Sequence, residues 1–159
     1  MRKEYLSQML DTLQKEVPSL RWIDADEGQL DFYTDDRPPV AFPCCLVDFA
    51  MPEARNLSVM GTVAQRCTLR AVLQVAFHDN ASLNTKTPKP VRETAMKRFD
   101  VLESITAALN GRFFDGFMQP YTRVSCMPRK RDDGLKMYEL VFEAAVVESR
   151  AVGTGSETE

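Results

Sequence analysis

Four cysteines and one histidine are the residues from which a metal site or a nucleophilic centre would have to be built. The cysteines are Cys44, Cys45, Cys67 and Cys126, and no two form a CxxC pair. Structural zinc takes paired Cys/His ligands at short spacing, so this pattern points away from a metal site. Cys44 and Cys45 are adjacent, which in a strand sends them to opposite faces and keeps them from sharing an ion. Each cysteine lies in an apolar, strand-like run, where a free thiol behaves as a small hydrophobe. The expectation is buried, reduced thiols in a cytosolic setting. A Ser–His or Cys–His nucleophile would depend on His78 alone, at the start of a polar stretch. Asp24, Asp26 and Glu27 precede Gly28 without the oxygen-ligand spacing or closing glutamate of a calcium loop. They read as a solvated acidic turn.

The remaining candidates are basic. Arg129-Lys130-Arg131 opens a turn completed by Asp133-Gly134, a pair that tolerates the positive φ of tight turns. Arg123 lies on the strand before it. Read from sequence, the turn carries its three cations into solvent, where they could meet a phosphate or a protein surface. Asp132 and Asp133 leave the local balance only weakly positive, and no interleaved aromatics offer a stacking platform for bases. Arg66 and Arg70 break the polar side of another strand. The candidate interaction residues are therefore Arg66, Arg70, Arg123, Arg129, Lys130 and Arg131. No catalytic residue, metal-ligand set or cofactor motif stands beside them: there is no GxGxxG, Walker loop or GxSxG. The net charge of -3 supplies no general attraction to nucleic acid, which is not expected as a partner.

The elements that position these residues follow from periodicity. Leu6, Met9, Leu10, Leu13 and Val17 recur at helical spacing over residues 2–17, and Pro18 ends the helix. A short extended piece at 20–23 precedes the acidic turn, and residues 29–33 read as a second short strand. Residues 40–49, VAFPCCLVDF, are apolar on both faces, as in a strand covered on both sides. Residues 50–61 read as an exposed loop. Residues 63–77 alternate strictly, with Cys67, Leu69, Ala71, Leu73, Val75 and Phe77 on one face. A polar linker follows, then a helix from Pro90 to about Asn110 with the stripe Val91, Ala95, Phe99, Leu102, Ile105 and Leu109. Phe113, Phe114 and Phe117 lie in the next loop and are expected under the sheet edge. A closing hairpin spans residues 121–147. On its second strand, Tyr138, Leu140, Phe142, Ala144 and Val146 alternate with Met137, Glu139, Val141, Glu143 and Ala145.

This order predicts an α+β fold: a mainly antiparallel sheet of four to five strands with two amphipathic helices packed on one face. A chain of 159 residues suits one domain, placed at 1–150, with 151–159 expected as a disordered polar tail. A hydrophobic fraction of 44% allows a core without staples. No apolar run reaches the roughly 20 residues a membrane span needs, and no apolar leader follows Met1. The sheet face away from the helices would leave Val72, Val141, Ala145 and Val147 among Arg70, Glu139 and Glu143. Self-association is the natural way to cover such a face.

Five segments in this order resemble the tail-completion or tail-terminator proteins of tailed bacteriophages and prophages. They are the N-terminal amphipathic helix; WIDADEGQLDFY followed by RPPVAFPCCLVDF; AQRCTLRAVLQVAF; ETAMKRFDVLESITAALNG; and YTRVSCMPRKRDDGLKMYELVFEAAV. The resemblance covers roughly residues 2–148 and contains no catalytic signature. It implies a non-enzymatic structural protein without cofactor. Such proteins form homomeric rings, typically hexameric, at the end of the tail tube, with tail-tube and head-completion proteins as partners. They reside in the bacterial cytoplasm or the virion tail. No individual functional residue carries over from the resemblance. The alternative is a small α+β ligand- or nucleic-acid-associated binding module.

Overall fold

The computed structural model describes residues 1–151, without the side chains of Ser58, Val59, Arg150 and Ala151. The elements are α1 (Lys3–Glu16), β1 (Trp22–Ala25), β2 (Cys44–Val59), β3 (Thr62–Phe77), α2 (Lys89–Leu109), β4 (Thr122–Arg129) and β5 (Lys136–Ala151). One sheet takes the order β1-β2-β3-β5-β4. β1 runs parallel to β2, and every other pairing is antiparallel. The expected tail begins at Ala151, which closes β5; the rest of it lies outside the described residues.

Both helices lie on one face. Tyr5, Met9 and Leu13 of α1 and Val101, Leu102, Ile105, Ala108 and Leu109 of α2 share a core with the inward residues of β2, β3 and β5. α1 ends where expected, its last turn closed by the Val17 amide donating to the Leu13 carbonyl at 2.9 Å. Phe117 joins this core and packs edge-to-face on Tyr121 at 5.1 Å. Phe114 packs partly against it, while Phe113 is exposed. A smaller core on the opposite face gathers Leu30, Cys44, Leu46, Ala76, Leu135 and Met137 under Val40 and Phe42. Cys45 faces the main core and Cys44 the smaller one, so the adjacent thiols do diverge.

Three sequence expectations change. Residues 29–33 form a turn, not a strand. Gly28 adopts a φ of +82°, and the amides of Asp31 and Phe32 both donate to its carbonyl. One buried residue, Leu30, anchors that turn, which gave it the look of a strand. Residues 50–59 continue β2 instead of looping. Their register with β3 runs from Glu53↔Thr68 to Val59↔Thr62, after an irregularity between Ala50 and Glu53 that takes up Pro52. Residues 52–57 are exposed on both faces, so no hydrophobic period announces them; Gly61, at φ +74°, reverses the chain. On α2, Arg98 is buried, while Val91 and Phe99 are exposed. The buried stripe is rotated relative to the one expected, because Arg98 finds a carboxylate partner inside.

Candidate interaction surface

The turn between β4 and β5 is held by Arg131. Its guanidinium ion-pairs with Asp31 at 2.6 Å and with Asp133 at 2.8 Å, and its Nη2 also donates to the Leu30 carbonyl. The Tyr33 hydroxyl donates to Asp133 at 3.0 Å. Arg131 holds the Asp133 carboxyl at a pKa of about 2, below the usual aspartate range, and is itself raised by Asp133. Arg131 therefore does not extend into solvent, as its position in a charged turn suggested. It is a clamp between the turn and the 27–33 segment.

The other candidate cations lie in separate places. Arg129 faces the open side of the sheet and pairs with Glu139 at 2.6 Å, which lowers the Glu139 pKa. Gln74 donates to the same carboxylate from β3 at 2.9 Å. Arg70, also on the open side, pairs with Glu143 at 3.6 Å. These links form a polar ladder across β3, β5 and β4. Val72 and Val141 are opposed in register inside it, the latter buried beneath its neighbours. The open face is thus mixed, as its sequence suggested, with Arg70–Glu143 and Arg129–Glu139 ion pairs set among its valines. Arg66 stands opposite Arg55 on β2 and pairs with no carboxylate among the described residues. Arg123 turns to the helix side, where its Nη1 reaches the Thr106 hydroxyl at 3.5 Å. Lys130 is exposed in the turn.

Sequence reasoning missed the two edges of the sheet as surfaces. β4 is an edge strand, and all but one of its residues are exposed, including Val124, Cys126 and Met127. Its run from Thr122 to Lys130 contains Arg123, Arg129 and Lys130 and no acid. The opposite edge is β1, with Trp22 38% exposed. From Arg21 to Arg37 the chain carries six carboxylates, Asp24, Asp26, Glu27, Asp31, Asp35 and Asp36, and the two terminal arginines as its only bases. The signal was present in sequence as charge segregation, but only the strand order shows that β1 and β4 are opposite edges, and only the fold shows that Asp31, in the middle of the acidic run, reaches across to Arg131.

A deep pairing sits elsewhere. Arg98, 5% exposed, donates through Nε to Asp79 at 2.8 Å and through Nη2 to both Asp79 and the Ala81 carbonyl. It ties α2 to the polar linker and pulls the Asp79 pKa down. A cleft of about 190 Å³ beside it is lined by Phe42, Phe77, His78, Asp79, Lys97 and Arg98. His78 lies against the Phe42 ring at 5.6 Å, and Asp79 is committed to Arg98. Among the described residues no group of His, Cys, Asp and Glu could hold a metal ion, and no helix is long and apolar enough to cross a membrane.

Fold and surface together define an α+β single-sheet domain whose most developed features are charged edges and faces. No protein-family model matches the chain, and no curated protein matches it in sequence. Among solved structures it is similar to a chain from the virion of a native gene transfer agent particle. That match has 13% identity and a TM-score of 0.46, and it covers 90% of this chain and 92% of the other.

Proposed function

We propose that the chain is a non-enzymatic structural subunit of a phage or prophage particle. In this reading it is a tail-terminator or tail-completion protein that assembles with its own copies into a ring at the tail-tube end and joins tail to head. The observation that carries the reading is the arm formed by the distal halves of β2 and β3. No side chain of residues 52–57 enters either core, and Leu57, Met60 and Val63 are exposed, Met60 by 98%. The two strands nevertheless stay paired out to Val59↔Thr62, and β5 accompanies β3 along the same stretch as far as Thr62↔Ala151. A long paired arm with apolar residues in water is a surface suited to contact with another protein.

Light scattering of the full chain, alone and with purified tail tubes, tests this. The expected result is a homo-oligomer, or a monomer that becomes a ring on the tube end. A strict monomer that never binds tubes removes the proposal. Salt-dependent DNA binding by such a monomer would support the binding-module alternative instead.

A further inference from the structure

We infer that copies of this chain associate head-to-tail, the basic β4 edge of one meeting the acidic β1 edge of the next. This rests on the structural role proposed above and specifies the self-contact within it. β1 and β4 close opposite ends of a single sheet. The β4 run from Thr122 to Lys130 carries Arg123, Lys130 and Arg129, the last paired with Glu139 of β5, and no acid. The β1 side carries Asp24, Asp26, Glu27, Asp35 and Asp36 between Arg21 and Arg37, an acidic excess, while Asp31 is taken up by Arg131. The register places the two edges row against row. Through β2, β3 and β5, Trp22 lies in the row of Arg129, and Asp24 in the row of Met127. Trp22 also lies with Asp35, Asp36 and Arg37 around one surface groove.

Charge decides the symmetry. A twofold contact through β4 would set three cations against the same three, and one through β1 would oppose two carboxylate runs. Only the heterologous pairing brings opposite charges together, and repeated heterologous contacts close into rings or run on as filaments. Each edge also holds an apolar anchor for the centre of the contact: Trp22 on one, Val124 and Met127 on the other. The contact is made by side chains and does not extend the sheet at Ala25. There the backbone amide donates to the Asp24 carboxylate and the carbonyl accepts from the Gln29 side-chain Nε2, so β1 caps that part of its own edge.

The test uses charge reversal on the full chain, at residues that make no ion pair among the described ones. R123E/K130E makes both edges acidic, and E27K/D35K/D36K makes both basic. Self-association is read by sedimentation velocity across salt, with circular dichroism as the check on folding. Wild type should associate more weakly as salt rises. Each reversal alone should weaken association roughly tenfold or more, because like charges then face each other. Mixing the two variants, or combining all five substitutions in one chain, should restore it. If a reversal does not fold, R123Q/K130Q and E27Q/D35N/D36N take its place, with a smaller loss expected from each. A wild-type chain that stays monomeric at low salt overturns the inference. So does association unchanged by both reversals, or lost in both and not recovered on mixing or combination. Variants that associate like wild type while still joining tail tubes remove this interface and leave the structural role standing. Association through these edges by a chain that never joins a tube does the reverse.

Discussion

Arg131 and Asp31 stand one hundred residues apart in the chain and meet at 2.6 Å. This contact fastens the β4–β5 turn to the segment that crosses the open face from the other side of the sheet. It closes the smaller core at Leu30 and Leu135. From sequence, Arg129, Lys130 and Arg131 are equivalent solvated cations that could be removed together at little cost in stability. In the fold they are not equivalent. Arg131→Ala should destabilise by about 2–3 kcal/mol, since it strips the donors from two carboxylates and the Leu30 carbonyl. Lys130→Ala should stay within about 0.5 kcal/mol. Thermal or urea unfolding of the two single variants distinguishes them; equal, small losses would show that the clamp contributes nothing.

The same clamp sets the acid limit. Asp133 has an ordinary pKa of 3.8 and a folded value of about 2. Asp79 and Glu139 are lowered in the same sense by Arg98 and Arg129. A depressed carboxyl contributes stability that is fully present above its unfolded value and is lost as pH falls through the folded one. Stability should therefore drop between about pH 4 and pH 2, and Asp133→Asn should flatten part of that limb. At the alkaline end, burial and the neighbouring Glu148 raise Tyr5 from 10.0 to about 12. A raised tyrosine contributes stability below pH 10 that is lost as pH climbs toward 12. Tyr5→Phe should remove that component. Urea midpoints across pH, for wild type and both variants, check both limbs.

Arg98 carries a third expectation. Replacing it by Ala leaves Asp79 without its main partner in a site where Arg98 itself is 5% exposed. Asp79 is itself partly exposed, so the loss should be about 1–3 kcal/mol. Arg98→Met with Asp79→Asn, which removes both charges, should recover a good part of it. If the double variant is no more stable than Arg98→Ala, the pair is not what holds the linker to α2.

Periodicity explains which parts of this fold were legible. α1 buries one side and β3 and β5 do so over most of their length, so their apolar residues repeat at 3.6 or 2 and could be read directly. The distal half of β2 buries neither side, and its pairing with β3 is made by backbone groups that leave no pattern in side-chain type. Residues 29–33 mislead for the opposite reason: one buried leucine in a turn resembles the start of a strand. On α2, spacing rules allow either 95, 99 and 102 or 95, 98 and 102 as the inward set. Only the position of Asp79, nineteen residues before Arg98, decides between them. The six candidate cations could be picked out by type, but most partners are set by the fold: Arg129 and Arg70 pair across to β5, Arg123 reaches α2, and Arg131 adds Asp31 to the neighbouring Asp133.

The cysteines give the last prediction. Cys44, Cys45 and Cys67 are buried, whereas Cys126 is exposed on the edge strand, contrary to the expectation that all four are core residues. Burial pushes the Cys44 thiol up to about 11 and raises Cys45 and Cys67 as well, so none of the three is a ready thiolate at neutral pH. A thiol-reactive dye should label Cys126 quickly in the native chain and the other three only on unfolding. Cys67→Ser should destabilise by about 1–3 kcal/mol, because the hydroxyl enters an apolar core without a partner. Cys126→Ser should be nearly neutral. Cys126 also reports on assembly: if the β4 edge meets a second copy, its labelling rate should fall as protein concentration rises. In the R123E/K130E variant that rate should stay at the monomer value at every concentration. Fast labelling of Cys67 in folded protein would contradict the burial, and a Cys126 rate that ignores concentration in an associating wild type would place the self-contact away from β4.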